Sequence, residues 1–298
     1  MYSLVGIGEM LWDIFPDGKQ LGGAPLNFAY HAAALDEDGF VVSSVGCDEL
    51  GRELLKRLDD LSLSQDYIAA DLFHPTGTVS INVGADGSPS YNIRQEAAWD
   101  YIPQTDSLME LAKEADAIVF GTLAQRCDVS RTTIRNFVTG ASWQTLRILD
   151  LNLRQTFYSS EIIEWSLNAC NVLKINEDEL NMLSNLFPIA GDENKILRIL
   201  GEGFNLRLIA LTRGEKGSVL YSPQQLSVHE GYKTEVVDAV GCWDAFTAAL
   251  VSGILEVFNL DTINDYANRI ASFVCSKRGA APALPDELKI SQWVNKTS

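Results

Sequence analysis

EVVDAVGCWDAFTAALVSGIL, residues 235–255, is the stretch on which the reading of this chain turns. A β-run, Glu235–Val237, leads into Asp238-Ala239-Val240-Gly241-Cys242-Trp243-Asp244. A helical pattern rich in small residues follows: Ala245, Ala248, Ala249, Ser252 and Gly253. A strand, a glycine turn and a helix start in that order aim free backbone N–H groups and the positive end of a helix dipole at one point. Asp244 falls at that point. A carboxylate there can take a proton from a hydroxyl while neighbouring N–H groups stabilise charge on a phosphoryl group in transfer. An aspartate at a helix start also serves as a plain cap.

Outward from this segment, short apolar runs alternate with helical patterns. Strands are expected at Leu4–Gly8, Phe40–Val45, Ala117–Phe120, Leu146–Asp150, Val172–Ile175 and Leu206–Thr212. Helices are expected at Leu26–Leu35, Gly51–Leu61, Ser107–Glu114, Glu161–Asn168, Glu177–Leu186 and Asn194–Leu200. Apolar strands buried between helices predict an α/β fold, a central, mostly parallel sheet flanked by helices on both faces. No repeat or long linker interrupts it, so residues 1–298 read as a single domain. Thr76–Ile93 breaks the rhythm. Two alternating runs, TVSINV and SYNIR, flank Asp86-Gly87, a hairpin turn dipeptide. Such a hairpin is expected to project, with residues near Leu11–Gln20, as a small protruding β lid built from about residues 11–20 and 76–100; a protrusion without function is the competing reading.

Composition narrows the function. Lys plus Arg number 23 against 40 Asp plus Glu, a formal net charge of −17, which argues against nucleic-acid and membrane partners. The hydrophobic content of 46% supplies an ample core. Cys47, Cys127, Cys170, Cys242 and Cys275 are scattered, with no Cys-x-x-Cys pair, and predict neither a zinc site nor a disulfide framework; most read as reduced core thiols, with Cys242 set apart by its place at the helix start. MYSLVGIGEML reads as a strand rather than a signal peptide, and a cytoplasmic location is expected. Two common nucleotide signatures fail: Gly214-Glu-Lys-Gly217-Ser218 has the wrong spacing for a Walker loop, and no third glycine follows Gly6-Ile-Gly8.

Several motifs, in order, resemble the ribokinase-like (PfkB) carbohydrate kinases over essentially the whole chain, and most closely their fructokinase branch. Gly8-Glu9-Met-Leu-Trp12-Asp13 and Gln20-Leu-Gly22-Gly23-Ala24-Pro25-Leu-Asn27-Phe28-Ala29 look like the family's sugar-binding signature. Ala98-Trp99-Asp100 and Phe120-Gly121-Thr122-Leu123-Ala124-Gln125-Arg126 look like fructokinases in particular. The resemblance implies a sugar-side set of Asp13, Gly22, Gly23, Asn27, Arg94, Trp99 and Gln125. Asp150-Leu-Asn152-Leu-Arg154 resembles the family's Asp-x-Asn-x-Arg segment and implies Arg154 beside the transferring phosphate or the sugar. Asn176-Glu177-Asp178-Glu179 resembles an Asn-x-x-Glu motif tied to magnesium and phosphate. It makes Glu179 the metal-side carboxylate, acting through water. Thr212, Gly214 and Gly217, then Gly279 and Ala280, resemble the nucleotide edge, with Asn268 on the adenine side.

The resemblance thus implies a kinase using ATP and Mg2+, with a monovalent cation also considered, and a homodimer formed through the lid. It departs at the chemistry. Where the family reads Asp-Thr-x-Gly-Ala-Gly-Asp, this chain has Ala239 for threonine and Trp243 for the second glycine, while Asp244 is kept. A tryptophan at a glycine position is expected to strain the turn or cover the phosphate hole. Three readings follow: an active fructokinase, a pseudokinase that binds sugar as a regulatory protein, and a related kinase for another sugar.

Overall fold

A computed structural model describes residues 1–83 and 89–297. Among them thirteen strands form two sheets. They are β1 (Ser3–Ile7), β2 (Leu11–Phe15), β3 (Gly18–Gly22), β4 (Asp38–Gly46), β5 (Ile68–Asp71), β6 (Gly77–Val83) and β7 (Pro89–Ile93), then β8 (Ala117–Phe120), β9 (Leu146–Asp150), β10 (Val172–Asn176), β11 (Leu208–Thr212), β12 (Ser218–Tyr221) and β13 (Leu226–His229). The larger sheet has nine strands in the order β13-β12-β11-β10-β9-β8-β1-β4-β5. Its pairs are parallel from β5 to β11, and β12 and β13 close one edge as an antiparallel hairpin.

The strands are apolar throughout because both faces are covered. In β1, Val5 and Ile7 join one core while Leu4 joins the other; β8 divides Ile118 and Phe120 from Ala117 and Val119 in the same way. The period of two along each strand thus feeds two cores at once. Helices Asp106–Glu114, Asp128–Gly140, Ser160–Ala169 and Glu193–Gly203 cover the first face, and Ala24–Ala34, Cys242–Leu255 and Leu260–Cys275 cover the second. The Cys242–Leu255 helix is buried nearly all round, and its small residues let the next helix close in: a Cβ on Gly253 would sit 3.2 Å from Ile263 Cγ1.

The smaller sheet, order β3-β2-β6-β7, carries the expected protrusion. The Asp86-Gly87 turn lies outside the described residues. The segment after β7 does not continue outward; Ala98–Tyr101 forms a 3-10 turn with Ala98, Trp99 and Asp100 buried.

Two expectations are corrected. Glu235–Val237 is not a strand: Val236 and Val237 are exposed, and the N–H of Val237 donates to the carbonyl of Cys275 (2.9 Å) instead of to a ladder. Cys242 and Cys275 are not separate thiols but a disulfide, with Cα atoms 5.4 Å apart. Packing brings the end of one helix against the start of another across 33 residues of sequence, which no local spacing reveals. Cys47, Cys127 and Cys170 are free. Among the described residues no helix is long and apolar enough to cross a membrane.

Candidate active site

Strand order reverses where β1 sits between β8 and β4, and the crevice beyond the carboxyl ends of such strands is where open α/β sheets bind ligands. The chain places Glu9 after β1, Gly121 and Thr122 after β8, and Asp150 and Asn152 at and beyond the end of β9. Together with Ala24 and Pro25 they line one narrow cleft.

Asp244, in the first turn of its helix, stands close enough to Glu9 and Asp150 of this region for their charges to interact. Gly241, the residue before that helix, takes φ 78°, the left-handed region that glycine enters without penalty. A side chain there would meet Ala280 as well, with a Cβ only 2.6 Å from its carbonyl oxygen. The first intrahelical bond runs from Ala245 N–H to Gly241 O (2.9 Å), so the N–H groups of Cys242, Trp243 and Asp244 precede the ladder. Asn27, buried on the Ala24–Ala34 helix, donates from Nδ2 to Asp244 Oδ2 (2.7 Å) and ties the sugar-side helix to the expected base.

Three carboxylic acids gather here. Burial pushes Asp244 up to about 6, with the charge of Asp150 adding to the shift and Lys174, Asn27 and Arg154 opposing it. Burial likewise raises Asp13 to about 6, with Arg154 opposing and Asp238 and Asp244 adding. Glu9 rises to about 7, again chiefly through burial; its Oε2 is buried without a hydrogen-bond partner among the described residues. The exposed guanidinium of Arg154 lowers all three, so it stands close to each of them. Gly22 packs against the Asp13 carboxylate and Gly23 against the Glu9 carbonyl, positions where a Cβ would intrude.

Beneath the base lies a buried ion pair. Lys174 Nζ donates to both oxygens of Asp150 (3.1 and 3.0 Å), and both residues are under 10% exposed. Glu179 caps its own helix: Oε2 accepts from Asn176 N–H (2.9 Å), Oε1 from Leu153 N–H (2.8 Å), and Asn176 Oδ1 returns the bond to Glu179 N–H. Burial and the charge of Asp150 raise its pKa. Asn176 and Glu179 therefore form a capping box beside the site. Among the described residues no group of three or more His, Cys, Asp or Glu could hold a metal ion. The hard oxygen donors of Glu179 and Asp150 still suit magnesium held through water, since that ion keeps several waters and leans on substrate phosphates.

Several expected contacts are placed elsewhere. Trp99 is wholly buried, with Arg126 stacked 4.0 Å from its ring centroid, and Arg126 forms an ion pair with buried Asp100 (2.7 Å). Trp99 thus has no surface for a sugar; it backs the segment that returns from the smaller sheet. Gln125 is also wholly buried, and its amide donates to Gly121 O and Ser166 Oγ (both 2.9 Å). Asn268 is spent on a buried network with Ser218 Oγ (2.7 Å) and Asn264. Thr212, buried, donates to Ile175 O (3.2 Å). Arg94 has an exposed side chain, and its carbonyl accepts from Arg126. Gly217 packs against the His229 carbonyl, whereas Gly214 and Gly279 face open space. Ala280 is buried, and its carbonyl faces His31 Nε2 at 2.8 Å. Burial lowers His31 to about 4, so the neutral ring donates that bond at neutral pH.

Glu9, Asp150, Lys174, Asp238 and His31 were not among the expected site residues. The signal for Lys174 was a lysine inside the apolar run Val172-Leu-Lys-Ile175, which requires a buried counter-charge. Glu9 and Asp150 lie inside motifs that carry the family resemblance, but nothing local in the sequence signals their burial.

Trp243 does not strain the turn. It lies within the helix, the left-handed position is Gly241, and no positive φ is recorded at 243. Its ring packs edge-on to Phe246 (centroids 5.7 Å apart) against the core of the second face. Trp243→Gly is accordingly expected to destabilise the fold by about 1–2 kcal/mol, through helix propensity and lost packing, rather than relieve it. Urea unfolding checks this, and a higher midpoint in the variant would refute it.

A family profile described as pfkB family carbohydrate kinase matches residues 17–287. The chain belongs to that family, and its class is sugar kinase. It is 27% identical to PH1459 of Pyrococcus horikoshii, described as an uncharacterized sugar kinase, over 93% of this chain and 91% of the relative. A crystal structure of PH1459 superposes with a TM-score of 0.82 at 26% identity, covering 99% of both chains, and PH1459 has also been solved in complex with ATP. Fructokinase-1 of Zea mays is 25% identical, with 98% of each chain covered. The Xylella fastidiosa fructokinase with bound ATP, at 18% identity, shares the fold with a TM-score of 0.84 and 100% coverage of both chains. The ribokinase-like architecture expected from the motifs is the one observed.

Proposed function

We propose that this sugar kinase transfers the γ-phosphoryl group of ATP to a hydroxyl of a small sugar, with fructose the favoured acceptor. The observation that carries the reading is Asp244, a carboxylate at a helix start, held by Asn27 and pushed up to about 6. At neutral pH it is mostly ionised yet poorly solvated, which suits a general base. It takes the hydroxyl proton as the oxygen attacks phosphorus. The N–H groups of Cys242, Trp243 and Asp244, with Arg154, stabilise charge on the phosphoryl oxygens. Glu179 is the carboxylate that would hold magnesium, whose chemistry when bound would be to neutralise phosphate charge. Asp13 and Asn27 are the hydrogen-bonding groups offered to sugar hydroxyls, and open-faced Gly214 and Gly279 are offered to the nucleotide. The ATP complex of the Pyrococcus relative and the maize fructokinase support the choice of ATP and fructose.

Initial rates with fructose and Mg-ATP across pH test the reading. Because Asp244 must be ionised, kcat/KM is expected to rise about tenfold per pH unit below about 6 and to level above it. Turnover of several other sugars but none of fructose would remove the acceptor assignment and leave the base in place. A rate independent of pH between 5 and 8 would remove the base. The sugar-binding pseudokinase draws no support from backbone strain, since Trp243 is helical.

A further inference from the structure

Segment 236–241, which delivers Gly241 and the free N–H groups to the site, belongs to no sheet. A clasp on the turn after the Leu260–Cys275 helix holds it. Val237 and Asp238 both donate N–H to Cys275 O (2.9 and 3.2 Å), Asp238 Oδ2 accepts from Gly279 N–H (3.0 Å), and Gly241 rests against Ala280. The covalent member of the clasp is the Cys242–Cys275 bond. Its two residues are not equivalent: Cys242 is 1% exposed, whereas Cys275 is partly open to solvent. The family pattern that this loop resembles has alanine at position 242, so the fold itself makes no demand for sulfur there.

We propose that Cys242 and Cys275 form a thiol–disulfide exchange site that sets the order of the phosphate-binding turn, with small dithiols and disulfides as its reagents. In reduction, one thiolate of a dithiol attacks Cys275 Sγ, on the more exposed of the two residues, and the Sγ–Sγ bond breaks. Cys242 leaves as a thiolate at the first position of its helix, where the dipole and free N–H groups stabilise negative charge. The second thiol of the reagent then displaces Cys275, giving two protein thiols and one oxidised reagent. A cyclic or linear disulfide reverses the sequence, and each direction moves two electrons and two protons. The bonded form holds segment 236–241 in its clasp; the reduced form leaves only hydrogen bonds to do so.

The inference takes the role of the turn from the kinase reading, but its test needs no turnover. The full chain is equilibrated in mixtures of reduced and oxidised dithiothreitol, quenched in acid and alkylated, and its peptides are mapped by mass. Cys242 and Cys275 are expected to titrate together as one two-electron couple, while Cys47, Cys127 and Cys170 are alkylated throughout. Amide hydrogen exchange over residues 236–244 is expected to run roughly tenfold faster or more in the reduced chain. Cys275→Ser is expected to show the fast rate in every mixture. Two free thiols at the oxidising end, a bond that reduces only when the chain unfolds, or exchange rates indifferent to the bond would each overturn the proposal. Failure of fructose turnover would instead fall on the kinase reading alone.

Discussion

Asp244→Asn is expected to lower kcat for sugar phosphorylation by roughly 10²–10⁴-fold, the range over which a positioned general base contributes. The change keeps the shape of the side chain and leaves an oxygen to accept from Asn27 Nδ2, now 2.7 Å from Asp244 Oδ2. It removes only the ability to take a proton. The fold is expected to lose nothing by it. A carboxylate whose pKa is raised to about 6 binds a proton that the unfolded chain has already released above about 4, so it favours the fold at low pH and opposes it as pH rises through 6. At pH 8 the neutral amide should therefore melt at the same temperature as the natural protein or higher. Coupled ADP release and a thermal melt measure the two effects on one sample. Turnover within tenfold of the natural chain would take the base away from Asp244. A large drop in melting temperature would assign the side chain to structure instead of chemistry.

Lys174→Met carries the largest expected effect on stability, a loss of about 3–5 kcal/mol, because it leaves the Asp150 carboxylate buried without its counter-charge. The pair is nearly inaccessible, and Lys174 contacts both carboxylate oxygens, so water cannot readily replace the ammonium. Adding Asp150→Asn to Lys174→Met removes the stranded charge and should recover much of the loss. Such non-additivity is the signature of a coupled pair. Urea unfolding of the single and double variants reads it directly. Equal stability of Lys174→Met and the natural chain would mean that Asp150 finds another partner or takes up a proton at no cost.

The two carboxylates illustrate how the site is supported. Asp150 at the end of β9 raises the pKa of both Asp244 and Glu179, and Lys174 opposes it at both. Lys174 thus limits how far the base is pushed up. Without it, the general base would be protonated through more of the neutral range. The stability of the strand ends and the chemistry of the first turn of the Cys242–Leu255 helix are linked through one ammonium group.

Much of this architecture was legible in the sequence. Ala117–Phe120 and Leu146–Asp150 are observed at the expected bounds, as is the Glu177–Leu186 helix. Each is encoded within a few residues, by an unbroken apolar run or by a cap and a period. The glycine turn just before a helical run was legible for the same reason, and the structure gives Gly241 the left-handed φ of 78° that glycine takes without cost. The separate sheet that holds β6 and β7 was foreshadowed by the alternation of TVSINV and SYNIR, which does not suit a doubly covered strand.

What the sequence could not decide was which side chains face the cleft and which distant groups meet. Trp99 and Gln125 sit in motifs that suggest ligand contact, yet packing turns both wholly inward. Glu235–Val237 has the β-branched residues of a strand, but the N–H of Val237 finds the Cys275 carbonyl instead of a neighbouring strand. Trp243 reads as an intruder beside a pattern of glycines, and its helical backbone shows that the conformational demand falls two residues earlier. The sequence by itself determined the alternation of strands and helices, the glycine turn and the aspartate that follows it, because local sterics and periodicity act over a few residues. Only the tertiary structure decided the Asn27–Asp244 bond, the Lys174–Asp150 pair and the Cys242–Cys275 link, because each joins groups that the chain separates and that only burial against a common sheet brings within reach.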